Sequence, residues 1–331
     1  MAATKSVFEN FENGRISRRE ITNLLETPSE EDFEPVYALA NKKAGRQVKL
    51  FASINYTNNC RKNCSYCGLR KDNSYIKRYL IDMPDIERAL KEIEKQSVKT
   101  MVFQSGWHYS SDAALMGQVR EILKNYDMEI LLSTGGRKPG RYAEFKESGA
   151  SGYILKAETS DKKVFESVHP DDTFEERSAC LDAIKKAGFK TGTGFLIGLP
   201  GQEAPSIASD LMFLAKYRPD YITIGPFLPQ QHTPLALQRP GSYILALRAV
   251  AIARIMNPSA GIFAPVSFDA LHPEGRRLAL EAGADILMQD YTPSKFRKDF
   301  LLYDGKPDDT DAADNRKKAE VTAALAGKII I

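Results

Sequence analysis

Three of the chain's four cysteines, Cys60, Cys64 and Cys67, fall within eight residues with the spacing C-x3-C-x2-C. Thiolates are soft ligands that select zinc, copper(I) or iron–sulfur clusters. A structural zinc site closes a tetrahedron with four protein ligands. No fourth ligand of that kind lies nearby, and the nearest histidine along the chain is His108. A disulfide would leave one of the three unpaired, and nothing else marks a secreted protein. A [4Fe–4S] cube held by three cysteines keeps one iron free of protein, where a small molecule can bind and be reduced. The spacing therefore reads as a catalytic cluster site, against the plainer alternatives of a structural zinc or a chance grouping. Cys180, among Ala179, Leu181 and Ala183 in a helical pattern, reads as a buried core thiol.

The elements that must position these thiols follow from periodicity. Ser17-Arg18-Arg19-Glu20 is a capping box that starts a short helix, and Ser29 to Ala44 reads as a second helix ended by Gly45. From Val48 the period changes to two, with Leu50, Ala52, Ile54 and Tyr56 alternating with Lys49, Phe51, Ser53 and Asn55, a strand that runs into the cysteine loop. Further strands are predicted at 100–104, 129–133, 152–156, 190–197, 221–225, 261–266 and 285–288. Amphipathic segments at 83–96, 113–126, 142–148, 175–187, 206–217, 243–256 and 273–282 separate them. Eight such units predict an α/β fold, a single (βα)8 barrel of the TIM type. The expected organisation is an N-terminal helical cap over the barrel bottom (1–47), the barrel (48–306) and a C-terminal closing segment and helical extension (307–331).

In such a barrel the residues just after each strand converge on one mouth. After the second strand come Gln104, Ser105 and Gly106, where glycine permits close approach and serine offers a hydroxyl and an amide, although a plain turn explains them as well. His108 follows as a candidate proton donor or substrate contact, and Ser133-Thr134-Gly135-Gly136 is a polar turn after the third strand. Glu158 ends the fourth strand and Arg177 follows on the next helix. An anion and a guanidinium fork suit a zwitterion, and a surface ion pair is the alternative. Gly192 to Gln202 lacks the spacing of a dinucleotide fingerprint. Ser267 and Asp269 alternate, which predicts that both point to one side, unless Asp269 caps a helix. Asp290, Tyr291 and Thr292, then Phe296, Phe300 and Tyr303, close the mouth.

Together these residues resemble a known group. C-x3-C-x-aromatic-C resembles the signature of the radical S-adenosylmethionine (SAM) superfamily. Cys60 to Arg70, Gln104-Ser105-Gly106, Gly198 to Gln202 and Ile224-Gly225-Pro226-Phe227 are similar to the [FeFe]-hydrogenase maturase HydE family, kin to methylornithine synthase (PylB) and biotin synthase. The resemblance implies reductive cleavage of SAM at a [4Fe–4S] cluster to a 5′-deoxyadenosyl radical, in maturation of the hydrogenase cluster, with PylB-like conversion of lysine to 3-methylornithine as the alternative. It implies cluster ligation by Cys60, Cys64 and Cys67, and SAM contacts from Tyr66, Gln104, Ser105, Gly106, Ser133, Glu158, Arg177 and Leu199. It implies substrate contacts from His108, Ser267, Asp269 and Tyr303. Trp107 and His108 stand where the family usually carries an acidic pair, and Thr223 stands where PylB uses an arginine. Pro307 to Arg316 holds no cysteine, so no second cluster is expected there.

With 331 residues, 43% hydrophobic and 27% charged, the chain has ample material for one large core. A net charge of +3 is too small to imply nucleic acid. No apolar run approaches the roughly 18 residues of a membrane span. Met1 to Asn13 lacks the apolar core of a signal peptide, so a cytoplasmic location is expected. The expected partners are a small-molecule substrate and a one-electron donor such as flavodoxin or ferredoxin.

Overall fold

The computed structural model describes residues 16–305 and 312–331. The reading of Met1–Asn13 and that of residues 307–311 lie outside the described residues. Eight parallel strands form the ring: β1 (Gln47–Thr57), β2 (Thr100–Ser105), β3 (Glu129–Ser133), β4 (Gly152–Ile154), β5 (Lys190–Ile197), β6 (Tyr221–Pro226), β7 (Gly261–Phe263) and β8 (Ile286–Asp290). The ring closes because β1 pairs with both β2 and β8. Each strand is followed by a helix, and the structure is the expected (βα)8 barrel.

Alternation along the strands divides their side chains between two environments. Ala52, Ile54, Tyr56, Met101, Phe103, Ile130 and Leu132 face outward into the main core with the helices. Phe51, Val102, Leu131, Ile154, Tyr221, Phe263 and Ile286 face inward and form a separate cluster. The rings of Phe51, Tyr221 and Phe263 meet at centroid distances of 5.5–6.1 Å, although β1 and β6 are not neighbours in the sheet, so they touch across the barrel and plug its floor. Further along β1, β2, β3 and β6 the inward residues become polar, at Ser53, Gln104, Ser133 and Thr223, while Met288 keeps β8 apolar for one more step. Asn55, Gln104 and Ser133 stand side by side in register, and Ser53 is opposite Asp290.

Local sequence accounts for the helices that matter here. The capping box at Ser17 and Glu20 starts the helix Arg18–Leu25, and Ser29 caps the helix Glu30–Ala44. These two pack on the outer helices Ala204–Tyr217 and Tyr243–Met256. A second capping box, Thr173 with Glu176, starts the helix Phe174–Lys186 and places Arg177 in its first turn.

Three features depart from expectation. The short helix Lys162–Val168, capped by Asp161, lies between β4 and the helix carrying Arg177. Its one buried trio, Val164, Phe165 and Val168, is too brief to reveal a period. After the helix Asn315–Leu325 the chain ends in a ninth strand, Ile329–Ile330, outside the ring and parallel to the start of β1. Finally, β7 stops at Phe263, and Val266–Phe268 is a single turn of 3-10 helix. The alternation expected of Ser267 and Asp269 is therefore lost.

Candidate active site at the barrel mouth

The polar rows of the strands open into a cavity of about 410 Å³ at their carboxyl ends. Cys60, Cys64 and Cys67 line it together, so the loop after β1 delivers all three thiols to one space. A single arginine holds that loop in shape. Arg78 donates to the carbonyls of Asn58 (2.6 Å), Leu69 (2.9 Å), Arg70 (2.6 Å) and Asn73 (3.1 Å). Asn73 bonds the Gly68 carbonyl at 2.7 Å, and Asn58 ties the loop to the carbonyls of Lys77 and Asp299. Neither Arg78 nor Asn73 carries a motif that sequence reasoning can find, because their partners are backbone carbonyls.

The loop after β2 seals against the cysteines. The Trp107 N–H points at Cys60 Sγ at 3.4 Å, and Arg61 N donates to the Trp107 carbonyl at 3.0 Å. A Cβ on Gly106 would run into the Asn59 carbonyl and the Cys60 side chain, so only glycine fits that approach. The Trp107 indole lies between Lys62 Nζ, 4.2 Å from its ring centre, and the Arg177 guanidinium at 5.7 Å. Both cations line the cavity.

Opposite them, Glu158 takes a left-handed backbone conformation, φ +67°, which few non-glycine residues adopt. Backbone bonds to β5 hold it there, from Glu158 N to the Gly194 carbonyl and from Leu196 N to the Glu158 carbonyl, both 3.0 Å. Its Oε2 is buried without a hydrogen-bond donor. Lys156 Nζ stands 3.0 Å away, an ion pair off the hydrogen-bonding direction. Behind Glu158, buried Asp210 accepts from the Thr159 hydroxyl at 3.1 Å, from both polar groups of Ser160 and from Gln202 Nε2 at 3.3 Å, joining the turns after β4 and β5. Burial pushes its carboxyl up to about 7. Arg177 forks onto Asp172 at 2.7 and 3.2 Å and reaches the Lys156 carbonyl at 2.6 Å.

Tyr66 lies with the thiols, and its hydroxyl meets His169 Nε2 at 3.0 Å while His169 Nδ1 faces the Phe165 carbonyl at 2.9 Å. A carbonyl can only accept, so Nδ1 carries the proton and Nε2 accepts from tyrosine. Burial, reinforced by Arg177, holds this imidazole down at about 4.

Gln104, Ser105, Gly106, Ser133, Glu158 and Arg177 all line the cavity, as do Ser267 and Tyr303 on the far side. Three other residues fall elsewhere. Leu199 is buried in a satellite cluster with Val164, Val168 and Phe227. His108 turns to Ser110 and Ser111, and burial followed by Arg137 lowers its pKa. Asp269 accepts from Arg276 N at 2.7 Å and Arg276 Nε at 2.5 Å at the start of the helix Gly275–Glu281, so it acts as a helix-end partner rather than facing the cavity with Ser267. Asp290, expected at the mouth, lines the cavity, and so do Lys62, Lys156, Asn55 and Ser53, which were unanticipated as ligand contacts. Inward alternation was the signal for all but Lys62.

The thiols suit an iron cluster. Burial pushes Cys64 up to about 12 and Cys67 well above its usual range, and the charge of the neighbouring thiolates adds to both. Three thiolates are stable there only beside a strong positive charge. Glu158 Oε2, ion-paired with Lys156 but without an aligned hydrogen bond, has room for a donor from a ligand.

Comparison with known proteins gives this geometry its class. The family model described as "Radical SAM superfamily" matches residues 54–214, and the chain belongs to that superfamily, whose members are enzymes using a [4Fe–4S] cluster and SAM. Among individual relatives, it is 34% identical to the [FeFe] hydrogenase maturase subunit HydE of Thermotoga maritima over 91% of this chain and 88% of that protein. It is 26% identical to the 3-methylornithine synthase of Methanosarcina acetivorans, over 86% of this chain and 81% of that one. The crystal structure of methylornithine synthase (PylB) superposes with a TM-score of 0.86 at 23% identity, covering 98% of this chain and 96% of that one, which shows the shared fold.

Proposed function

We propose that this protein is a HydE-like maturase that acts on a small-molecule precursor in assembly of the [FeFe]-hydrogenase cofactor, in the cytoplasm, with electrons from a one-electron donor protein. The observation that carries the reading is the 34% identity to HydE sustained over nearly the whole of both chains. Cys60, Cys64 and Cys67 are the ligands for the cluster, which when loaded with SAM supplies reductive cleavage of the sulfonium.

The chain's own residues do the rest. Arg177 and Lys62 present positive charge to the SAM carboxylate, and Glu158 offers its carboxylate to an ammonium or hydroxyl donor. Gln104, Ser105 and Ser133 supply further polar contacts along one side of the cavity. The floor of Phe51, Tyr221 and Phe263 excludes water from below, which deprives a reactive centre of competing hydrogen donors. Lys156, Thr223, Ser267, Asp290 and Tyr303 line the remainder and are the candidate substrate contacts. Of the Ser267 and Asp269 pair only Ser267 is left to meet a substrate, because Asp269 is paired with Arg276.

The test is anaerobic formation of 5′-deoxyadenosine by iron- and sulfide-loaded protein with SAM and dithionite, comparing the iron–cysteine precursor of hydrogenase maturation with L-lysine. Stimulation by the precursor alone is expected. Stimulation by lysine alone moves the assignment to methylornithine synthase, and absence of cleavage under every condition overturns the reading.

A further inference from the structure

The chain's charge is unevenly placed. Residues 61–78 contain six cations (Arg61, Lys62, Arg70, Lys71, Lys77, Arg78) and one acid (Asp72). The loop 228–240 adds Arg239 and no acid, and 295–305 adds three cations and two acids. These three segments therefore carry +7, while the whole chain carries +3, leaving the rest of the molecule at −4.

Tertiary structure brings the three together over the cysteine loop, where Lys62 turns into the cavity and Arg78 into the loop's own carbonyls while Lys71, Lys77 and Arg239 stay exposed on one outer face. Gly68 N donates to the Leu302 carbonyl at 3.0 Å, Leu235 N to the Ser65 carbonyl at 3.2 Å, and Gln231 N to Asp304 at 2.7 Å. On the same segments stand some of the most exposed large apolar side chains of the described residues, Leu237 at 99% and Tyr75 at 75%, with Leu302 beside them. Tyr75 does not wave freely. Its ring stacks on His232 at 4.1 Å and 12°, which fixes an aromatic surface facing outward. A cationic rim around a preset apolar centre is the build of a protein-docking patch.

The chemistry says which partner. Reductive cleavage needs one electron per event, and the cavity side of the thiols is given over to SAM and substrate. The electron must therefore enter through the outer side of the cysteine loop, which is this face.

We propose that the face formed by Lys71, Tyr75, Lys77, Leu237 and Arg239 docks a small acidic one-electron carrier protein that reduces the cluster. The step is one electron leaving the reduced carrier and one arriving at the cluster, with no proton or group transferred. The proposal rests on the radical SAM reading of the site and adds the partner and its seat. Opposite charges steer such short-lived encounters and raise their association rate, an effect that salt screens. Electron-transfer contacts also need only a small area.

The test compares three forms of the cluster-loaded protein. One is unaltered, one carries Lys71→Glu, Lys77→Glu and Arg239→Glu, and a control carries Lys42→Glu, Lys43→Glu and Arg46→Glu. The control makes the same charge change on exposed residues next to the opposite end of β1. Stopped-flow reduction by an acidic reduced flavodoxin, at several salt concentrations, is paired with anisotropy titration of labelled flavodoxin. We expect at least a tenfold lower association rate and a flattened salt dependence for the first triple variant only, and threefold or weaker binding for Tyr75→Ala with Leu237→Ala. Dithionite-driven SAM cleavage should be unchanged in all of them. Equal rates for both triple variants overturn the proposal, as does binding of labelled RNA that depends on the same lysines when flavodoxin does not bind. If flavodoxin binds this face yet dithionite drives no SAM cleavage, the enzyme reading falls and the docking site stands.

Discussion

The two halves of the barrel mouth are built by different means. On the side of β1 and β2 the cysteine loop is fixed by a dense set of backbone bonds, with Arg78 alone gathering the Asn58, Leu69, Arg70 and Asn73 carbonyls. On the side of β6 to β8 the cavity is lined by single side chains, Thr223 from β6, Ser267 from the lone 3-10 turn after β7 and Asp290 from the end of β8. A frame that many bonds hold cannot adjust one residue at a time. A wall of separate side chains can be altered at one position without disturbing the next. The first suits the chemistry common to the class, and the second suits the choice of substrate.

Replacing any one of Cys60, Cys64 or Cys67 with serine should have the largest effect, with loss of visible cluster absorbance and of all SAM cleavage. Retained iron and sulfide in any of the three would break the assignment of that side as the cluster frame. Next is Arg78→Lys, which keeps a charge but replaces a fork by a point donor. Cluster content should fall severalfold on dilution while apoprotein folding is kept, and an unchanged content would show that the loop holds itself.

On the far side, Ser267→Ala should leave substrate-free SAM cleavage within twofold and raise KM for the substrate about tenfold, the value of one hydrogen bond of roughly 1.4 kcal/mol. A parallel fall in substrate-free cleavage would erase the division between the halves.

His169 gives a pH test. Its folded-state pKa is lowered from 6.5 to about 4 by burial. Between those values the folded state binds fewer protons than the unfolded chain, so its stabilising contribution is present above pH ~6.5 and lost as pH falls toward 4. Because buried Asp210, held up at about 7, adds the opposite slope to both proteins, the readout is a difference: the unfolding free energy of the wild-type apoprotein minus that of His169→Gln should fall by about 3 kcal/mol from pH 6.5 to 4. Equal slopes would detach His169 from the frame.

Asp269→Asn should matter least to turnover, costing roughly 1–2 kcal/mol of stability through Arg276 and leaving KM unchanged. A raised KM would return Asp269 to the substrate wall.

Legibility follows the same division. The C-x3-C-x2-C spacing, the capping box at Ser17 and the alternation of β1 are short-range patterns, since thiol ligands on one loop, first-turn N–H groups and the faces of a strand are fixed by residues a few positions apart. From these the sequence by itself determined the barrel, the cluster loop and the mouth to which Gln104, Ser133 and Glu158 belong. What tertiary structure decided depends on partners far along the chain. Arg78 finds carbonyls without any signature, the ninth strand Ile329–Ile330 pairs with the start of β1, and Leu199 turns away to Val164, Val168 and Phe227. The end of β7 at Phe263 broke the alternation on which Asp269 was placed. The basic face over the cysteine loop is likewise a product of folding, because a stretch of six cations reads as an ordinary solvated loop until Leu237 and His232 are brought beside it.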